Sequence, residues 1–289
     1  MSQIEKVIFE TNYLGTPINI AADLKIVDDN APTVLGIHGL GLTKEDLDPF
    51  KRHQSFDDMN VVLIDLPGHG ESTRDVPRQV YWLNNLAGVV YQMISQLNQP
   101  NLHLFGHSFG ASLTVKIGKL IMENKDQSLK SISFAEPNLV NDDSQPFSKI
   151  ITSIGREHIN PYVLKGVLHP IFYGPSNSSA ERAYFEDIRD VTNPNTFAKM
   201  YYECCRTLVE WSSGDKLLKT VIDLHQKGLH TSYMYGGKST IPIMQQEEYS
   251  NHVTEWFDKI VKFPNAGHFL PSEAPQLYEE LPKFISEIS

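Results

Sequence analysis

A serine between two glycines, at the end of an apolar run, is the arrangement in this chain best suited to nucleophilic chemistry. Leu102-His103-Leu104-Phe105 leads into Gly106-His107-Ser108-Phe109-Gly110, and Ala111 to Met122 reads as a helix. Strand, sharp turn and helix around G-x-S-x-G form a nucleophile elbow, which lifts a serine Oγ clear of the backbone. The turn crowds the positions two before and two after the serine, and glycine is their natural occupant. A serine hydroxyl is a weak nucleophile until a base removes its proton, so acyl transfer at Ser108 requires a histidine from elsewhere in the chain. His268, in Asn265-Ala266-Gly267-His268-Phe269, follows the last strand-like run and would emerge at the same carboxyl edge of a parallel sheet.

The elements that must position these residues alternate along the chain. Val7 to Phe9 and Ile18 to Ala21 read as an antiparallel pair around Gly15-Thr16-Pro17. Thr33 to Ile37, Val61 to Ile64 and Lys130 to Ala135 are short apolar runs of the kind found in strands covered on both faces. Leu83, Leu86, Val90, Ile94 and Leu97 repeat at helical spacing and predict a helix over 80–97. Leu229 to Tyr235 and Lys259 to Phe263 return to strand character, with a helix expected from Glu247 to Phe257 and a closing helix from Pro271 to Ile288. Strands separated by helices predict a mostly parallel sheet with right-handed crossovers. Residues 138–227 break the rhythm with helix-like spans near 147–158, 179–190 and 195–211 and no strand-like run, as expected of a helical cap inserted into a core formed by 1–137 and 228–289.

Composition narrows the function classes. The formal net charge is −10, which disfavours a nucleic-acid surface. The acid is uneven: residues 138–227 hold 10 Lys and Arg against 11 Asp and Glu, so the insertion is nearly neutral and the core carries most of the excess. No run approaches the 18 apolar residues of a membrane span and no secretory leader pattern is visible. The two cysteines, Cys204 and Cys205, are adjacent and make neither a disulfide framework nor a metal site. The expectation is a cytoplasmic monomer or homodimer acting on a small molecule, with no membrane or nucleic-acid partner.

The ordered motifs resemble the α/β-hydrolase superfamily over nearly the whole chain. They are His38-Gly39-Leu40-Gly41 after an early strand, Asp65-x-x-Gly68-x-Gly70-x-Ser72, the serine elbow, and Ala266-Gly267-His268 near the end. The resemblance implies a doubly wound, eight-stranded, mostly parallel sheet with a lid after the sixth strand, where 138–227 falls. It implies Ser108 as nucleophile, His268 as base, and an oxyanion hole made by the backbone N–H groups of Phe109 and Leu40. The superfamily usually supplies its acid as an Asp after the seventh strand, but here Ser239 of Tyr235-Gly236-Gly237-Lys238-Ser239 stands in that place. Some members place the acid after the sixth strand, where this chain has Glu136, and Glu136 is the preferred third member. Asp215, Glu247, Glu248 and Glu273 remain rivals.

Other polar residues read as structural. Asp65 should hold the loop that ends at Gly68 and Gly70. His107 should point away across the elbow and pack, and His103 should be a satisfied core residue. His158, His169 and His225 show no zinc-site spacing, Asp142-Asp143 reads as a solvated acidic stretch, and Gly236-Gly237 is not a phosphate cradle. The sequence therefore predicts a cofactor-free, metal-free serine hydrolase of a small carboxylic-ester-like substrate, with Leu40, Leu42, Phe109, Leu139 and Phe269 at an aliphatic mouth. Two other readings stand beside it. One is carbon–carbon hydrolysis, perhydrolysis or cofactor-free dioxygenation on the same fold, and the other is a non-enzymatic ligand receptor.

Overall fold

The computed structural model describes residues 3–126, 128–140, 145–160, 162–164, 194–239 and 254–288. Eight strands form one sheet: β1 (Ile4–Tyr13), β2 (Thr16–Lys25), β3 (Thr33–Ile37), β4 (Asn60–Ile64), β5 (Leu102–His107), β6 (Leu129–Ala135), β7 (His230–Gly236) and β8 (Lys259–Phe263). Their spatial order is β1-β2-β4-β3-β5-β6-β7-β8. The β1–β2 and β2–β4 pairs are antiparallel and the remaining five are parallel. This is the eight-stranded, doubly wound sheet expected from the chain.

Burial follows from position. Every residue of β3, β4 and β5 is buried, because central parallel strands are covered on both faces and gain from apolar residues at successive positions. The edge strand β1 instead alternates, with Phe9 and Thr11 inward and Ile4, Ile8 and Glu10 outward. Side chains of the central strands divide by parity. Leu35, Ile37, Val62, Ile64 and Leu104 face the layer built by α2 (Leu83–Leu97), α3 (Phe109–Glu123) and α6 (Lys216–Gln226). Val34, Val61, Leu63 and Phe105 face a smaller layer that includes α1 (Pro49–Arg52) and α8 (Leu277–Ile288). Phe50 joins this second layer together, its ring centroid 4.8 Å from Phe105 and 5.2 Å from Tyr278.

Two expected helices are interrupted, each for a visible reason. The helix expected over 80–97 becomes a 3₁₀ turn at Arg78–Tyr81 followed by α2, with Trp82 extended between them. Tertiary contacts hold that break: Trp82 Nε1 donates to Glu203 Oε2 at 3.0 Å and Leu83 N to Thr207 Oγ1 at 3.0 Å. The closing helix splits into α7 (Leu270–Glu273) and α8, because Pro275 drives Ala274 out of helical geometry, to φ −121° and ψ 81°.

Within residues 138–227, α4 (Gln145–Ile154) and α5 (Pro194–Ser212) realise two of the expected helical spans. The span expected over 179–190 lies outside the described residues, as does most of the helix expected over Glu247 to Phe257, of which Thr254–Trp256 forms a 3₁₀ turn. The last helix before β7, α6, buries Leu217, Val221 and Leu224 against the sheet layer that contains α3. Among the described residues no helix is long and apolar enough to cross a membrane.

Candidate active site

The elbow forms where β5 hands over to α3. Ser108 sits at φ 54° and ψ −118°, outside the regions a non-glycine residue normally occupies, and such geometry persists only where the surroundings enforce it. Two close approaches do so. A Cβ on Gly106 would lie 2.5 Å from Gly110 O and 2.6 Å from Ala111 N, and one on Gly110 would lie 2.5 Å from His38 O. The serine is anchored by its own N–H, which donates to Ala135 O at 2.8 Å.

His268 arrives from the loop after β8. Its Nε2 is 3.0 Å from Ser108 Oγ, and its Nδ1 is 3.1 Å from Glu136 Oε2. Glu136 is fully buried at the end of β6, with φ 52°. The structure therefore brings together the three residues expected to carry the chemistry, drawn from the ends of β5, β6 and β8. Leu40 and Phe109 are also at this edge, Phe109 as the first residue of α3 and Leu40 in the turn after β3.

Glu136 is held by more than His268. Its Oε1 accepts from Gly236 N at 2.6 Å and its Oε2 from Ser239 Oγ at 2.5 Å. Burial pushes the Glu136 carboxyl well above the usual carboxylate range, while the Gly236 and Ser239 hydrogen bonds pull it back toward the ionised form. Burial lowers His268 to about 4, partly opposed by Glu273. The imidazole is thus neutral at pH 7, the state in which Nε2 can take a proton.

Of the rival acids, Asp215 and Glu273 have other positions or work. Asp215 is the left-handed residue before α6, and Glu247 and Glu248 lie outside the described residues. Glu273 Oε2 accepts from Gly267 N at 2.6 Å, so it fixes the loop beside the histidine. Asp65 is fully buried: its Oδ1 accepts from Lys44 N at 2.8 Å, and its Oδ2 from Glu71 N at 2.9 Å and Lys44 Nζ at 3.1 Å. That is the structural role expected of it. His103 Nδ1 meets Ser131 Oγ at 2.8 Å, but its Nε2 is buried with no hydrogen-bond partner among the described residues.

His107 packs as expected, but on a functional neighbour. Its Nε2–H donates to His268 O at 2.7 Å and the two rings lie 5.1 Å apart. Strand alternation explains this, since His107 shares a face with Phe105, the face that the 264–270 loop and α8 cover. Sequence reasoning missed this role, and missed Ser239 as a hydrogen-bond donor to the acid. Ser239 had a signal: it stands where the superfamily usually has a carboxylate. For His107 no signal was present. Among the described residues no group of three or more His, Cys, Asp or Glu side chains could hold a metal ion.

Comparison with known proteins bears on the fold. A family model described as the alpha/beta hydrolase fold matches residues 32–115, which runs from β3 through the elbow. The structure is similar to a bromoperoxidase from Bacillus anthracis, at 17% identity, a TM-score of 0.74, and coverage of 97% of this chain and 100% of that one. It is similar to a thermophilic esterase from Thermogutta terrifontis, at 18% identity, a TM-score of 0.73, and coverage of 98% and 99%. A thioesterase domain from the curacin biosynthetic pathway matches at 18% identity with a TM-score of 0.65, covering 99% of this chain and all of that one. No curated protein sequence matches. The chain has the α/β-hydrolase fold, and the resemblance read from its motifs holds in three dimensions.

Proposed function

We propose that the protein is a serine hydrolase that cleaves a small carboxylic-ester-like substrate through an acyl-enzyme. The observation that carries this reading is the continuous relay Ser108 Oγ, His268 Nε2, His268 Nδ1, Glu136 Oε2, with separations of 3.0 and 3.1 Å across its two gaps. Those distances are within proton-transfer reach.

Ser108 Oγ attacks the substrate carbonyl carbon as His268 Nε2 takes its proton, and the Glu136 carboxylate stabilises the imidazolium through Nδ1–H. The oxyanion of the tetrahedral intermediate accepts from the N–H groups of Phe109 and Leu40. Each such donor is typically worth about 3–4 kcal/mol. Collapse breaks the ester C–O bond, and the leaving alcohol departs with the proton from Nε2. A water then gives a proton to Nε2 as it attacks the acyl carbon; the Ser108 Oγ–acyl bond breaks, the acid departs, and Nε2 returns the proton to Oγ. Neither metal nor organic cofactor enters these steps.

The substrate class rests on the walls and on the neighbours. Leu42, Phe109, Leu139 and Phe269 are buried in one apolar cluster with Leu40 packed against it, which favours an uncharged acyl group. The esterase and thioesterase among the similar structures act on acyl esters and thioesters by name. Residues 138–227 serve as the cap over this mouth. Labelling with a fluorophosphonate and assay on p-nitrophenyl acetate and butyrate test the proposal. Labelling should be confined to Ser108 and abolished in Ser108→Ala; an unlabelled, inactive wild-type protein overturns it.

A further inference from the structure

We infer that His69 is a positioning residue for the oxyanion hole, acting through the Leu40–Gly41 peptide; this rests on the function proposed above. The Asp65-to-Ser72 loop that carries His69 crosses the same edge of the sheet as the turn after β3. Gly41 N donates to His69 Nε2 at 3.1 Å. The other ring nitrogen, Nδ1, lies 3.2 Å from Pro67 O. A carbonyl can only accept, so Nδ1 carries the proton and Nε2 offers a lone pair to Gly41.

The preceding peptide is pinned from the opposite side. His38 Nδ1–H donates to Gly39 O at 2.7 Å, and Leu42 N donates to the same oxygen at 3.2 Å. His38 Nε2 in turn accepts from Leu66 N at 3.0 Å, which ties the first histidine to the loop of the second. The two rings are 4.9 Å apart, and both are buried.

A peptide unit is planar. The contacts at Gly39 O hold one end of the plane that carries Leu40 N–H, and the contact at Gly41 N holds the chain just beyond its other end, Leu40 Cα. With both ends held, that plane is restrained from turning, and so is the direction of its N–H. A donor aimed in advance is what an oxyanion hole requires. Gly41 itself lies at φ 77°, and a glycine there has the freedom to shift if its N–H loses its partner. His69 supplies that partner. Burial lowers His69 to about 3, with His38 beside it acting in the same direction, so the accepting lone pair stays available at neutral pH.

The test compares His69→Gln with His69→Asn. The Gln amide reaches the position of Nε2 and can still accept from Gly41 N, whereas Asn reaches only the Nδ1 side. In His69→Asn, kcat on p-nitrophenyl butyrate should fall roughly tenfold or more with KM within about twofold, since an oxyanion donor acts on the transition state. Affinity for butylboronic acid, which places a tetrahedral anion on Ser108, should fall by the same factor. His69→Gln should retain most of both. Equal kcat and boronate affinity in the two variants, or a loss confined to KM, overturns the inference while leaving the proposed hydrolase intact. A wild-type protein whose Ser108 neither reacts with fluorophosphonate nor binds the boronate overturns the function instead.

Discussion

Ser108 and Glu136 follow directly on register partners of two neighbouring parallel strands, His107 of β5 and Ala135 of β6, and both leave their strands at positive φ, 54° and 52°. Ser108 N continues the ladder onto Ala135 O at 2.8 Å, and Glu136 N continues it onto Met234 O at 2.9 Å. The separation of Ser108 and Glu136 is therefore inherited from strand spacing, roughly 4.8 Å per strand. Each strained residue costs on the order of 1–3 kcal/mol, and the sheet holds both.

If Glu136 orients and stabilises the imidazolium, Glu136→Gln should lower kcat by about 10³–10⁴-fold with little change in fold, the size of effect seen when a triad carboxylate becomes an amide. Ser239→Ala removes one hydrogen bond to the same oxygen and should cost less, roughly 10- to 150-fold, since a bond to a charged group is worth roughly 1.5–3 kcal/mol. Steady-state rates on one chromogenic ester decide it. Wild-type activity in Glu136→Gln would remove that residue from the mechanism.

The His268 limb of the rate profile should lie well below the ordinary histidine value of 6.5, near 4, because burial lowers His268 to about 4. The base form of His268 exists above that value, but Glu136, whose burial raises it, must also be ionised, so kcat/KM should already decline below neutrality and fall further as pH drops through about 4. Glu273 opposes the lowering, and Glu273→Gln keeps an acceptor for Gly267 N while deleting the charge. Its limb should move lower still. An unmoved or raised limb contradicts this account of Glu273.

Stability should fall on mild acidification. Burial lowers His38, His103 and His268 to about 4 and His69 and His107 to about 3, all from 6.5. A folded-state pKa below the unfolded one means that the unfolded chain binds more protons. The stabilisation is complete above about 6.5 and is lost as pH falls toward 4, by up to about 1.4 kcal/mol per pH unit for each histidine. Glu136, whose burial raises it, works in the opposite sense as a single group against five. Urea midpoints at pH 7 and pH 5 should differ clearly, and equal midpoints would contradict the buried neutral histidines.

Lys44 is fully buried with Asp65 at 3.1 Å and reaches Glu71 at 2.6 Å and Glu45 at 2.8 Å. Replacing it by Met leaves the buried Asp65 carboxylate without its cation, a change that typically costs about 3–5 kcal/mol. Denaturant unfolding of Lys44→Met measures this, and a loss below 1 kcal/mol would show that Asp65 is satisfied by backbone donors alone.

The fold was legible because burial on two faces leaves a plain mark: β3, β4 and β5 are short apolar runs, and the turns that end them carry the motif residues. Ser108, His268 and Glu136 were each readable from place in the strand order. Local pattern failed where distant contacts decide geometry. Trp82 breaks an otherwise helical repeat because Glu203 and Thr207, more than 100 residues later, hold the break. His69 and His107 carry no local sign of their partners, since each bonds to a backbone group that only the folded sheet brings near.

The bond from Leu83 N to Thr207 Oγ1 has an architectural consequence. The segment after β6 supplies the terminal acceptor of a crossover helix in the core, and its own last helix fills one side of the sheet. Excising 138–227 would thus pull out a foundation stone of the core. Replacing that segment would succeed only if the splice spared α6 and left a hydroxyl at the start of α2.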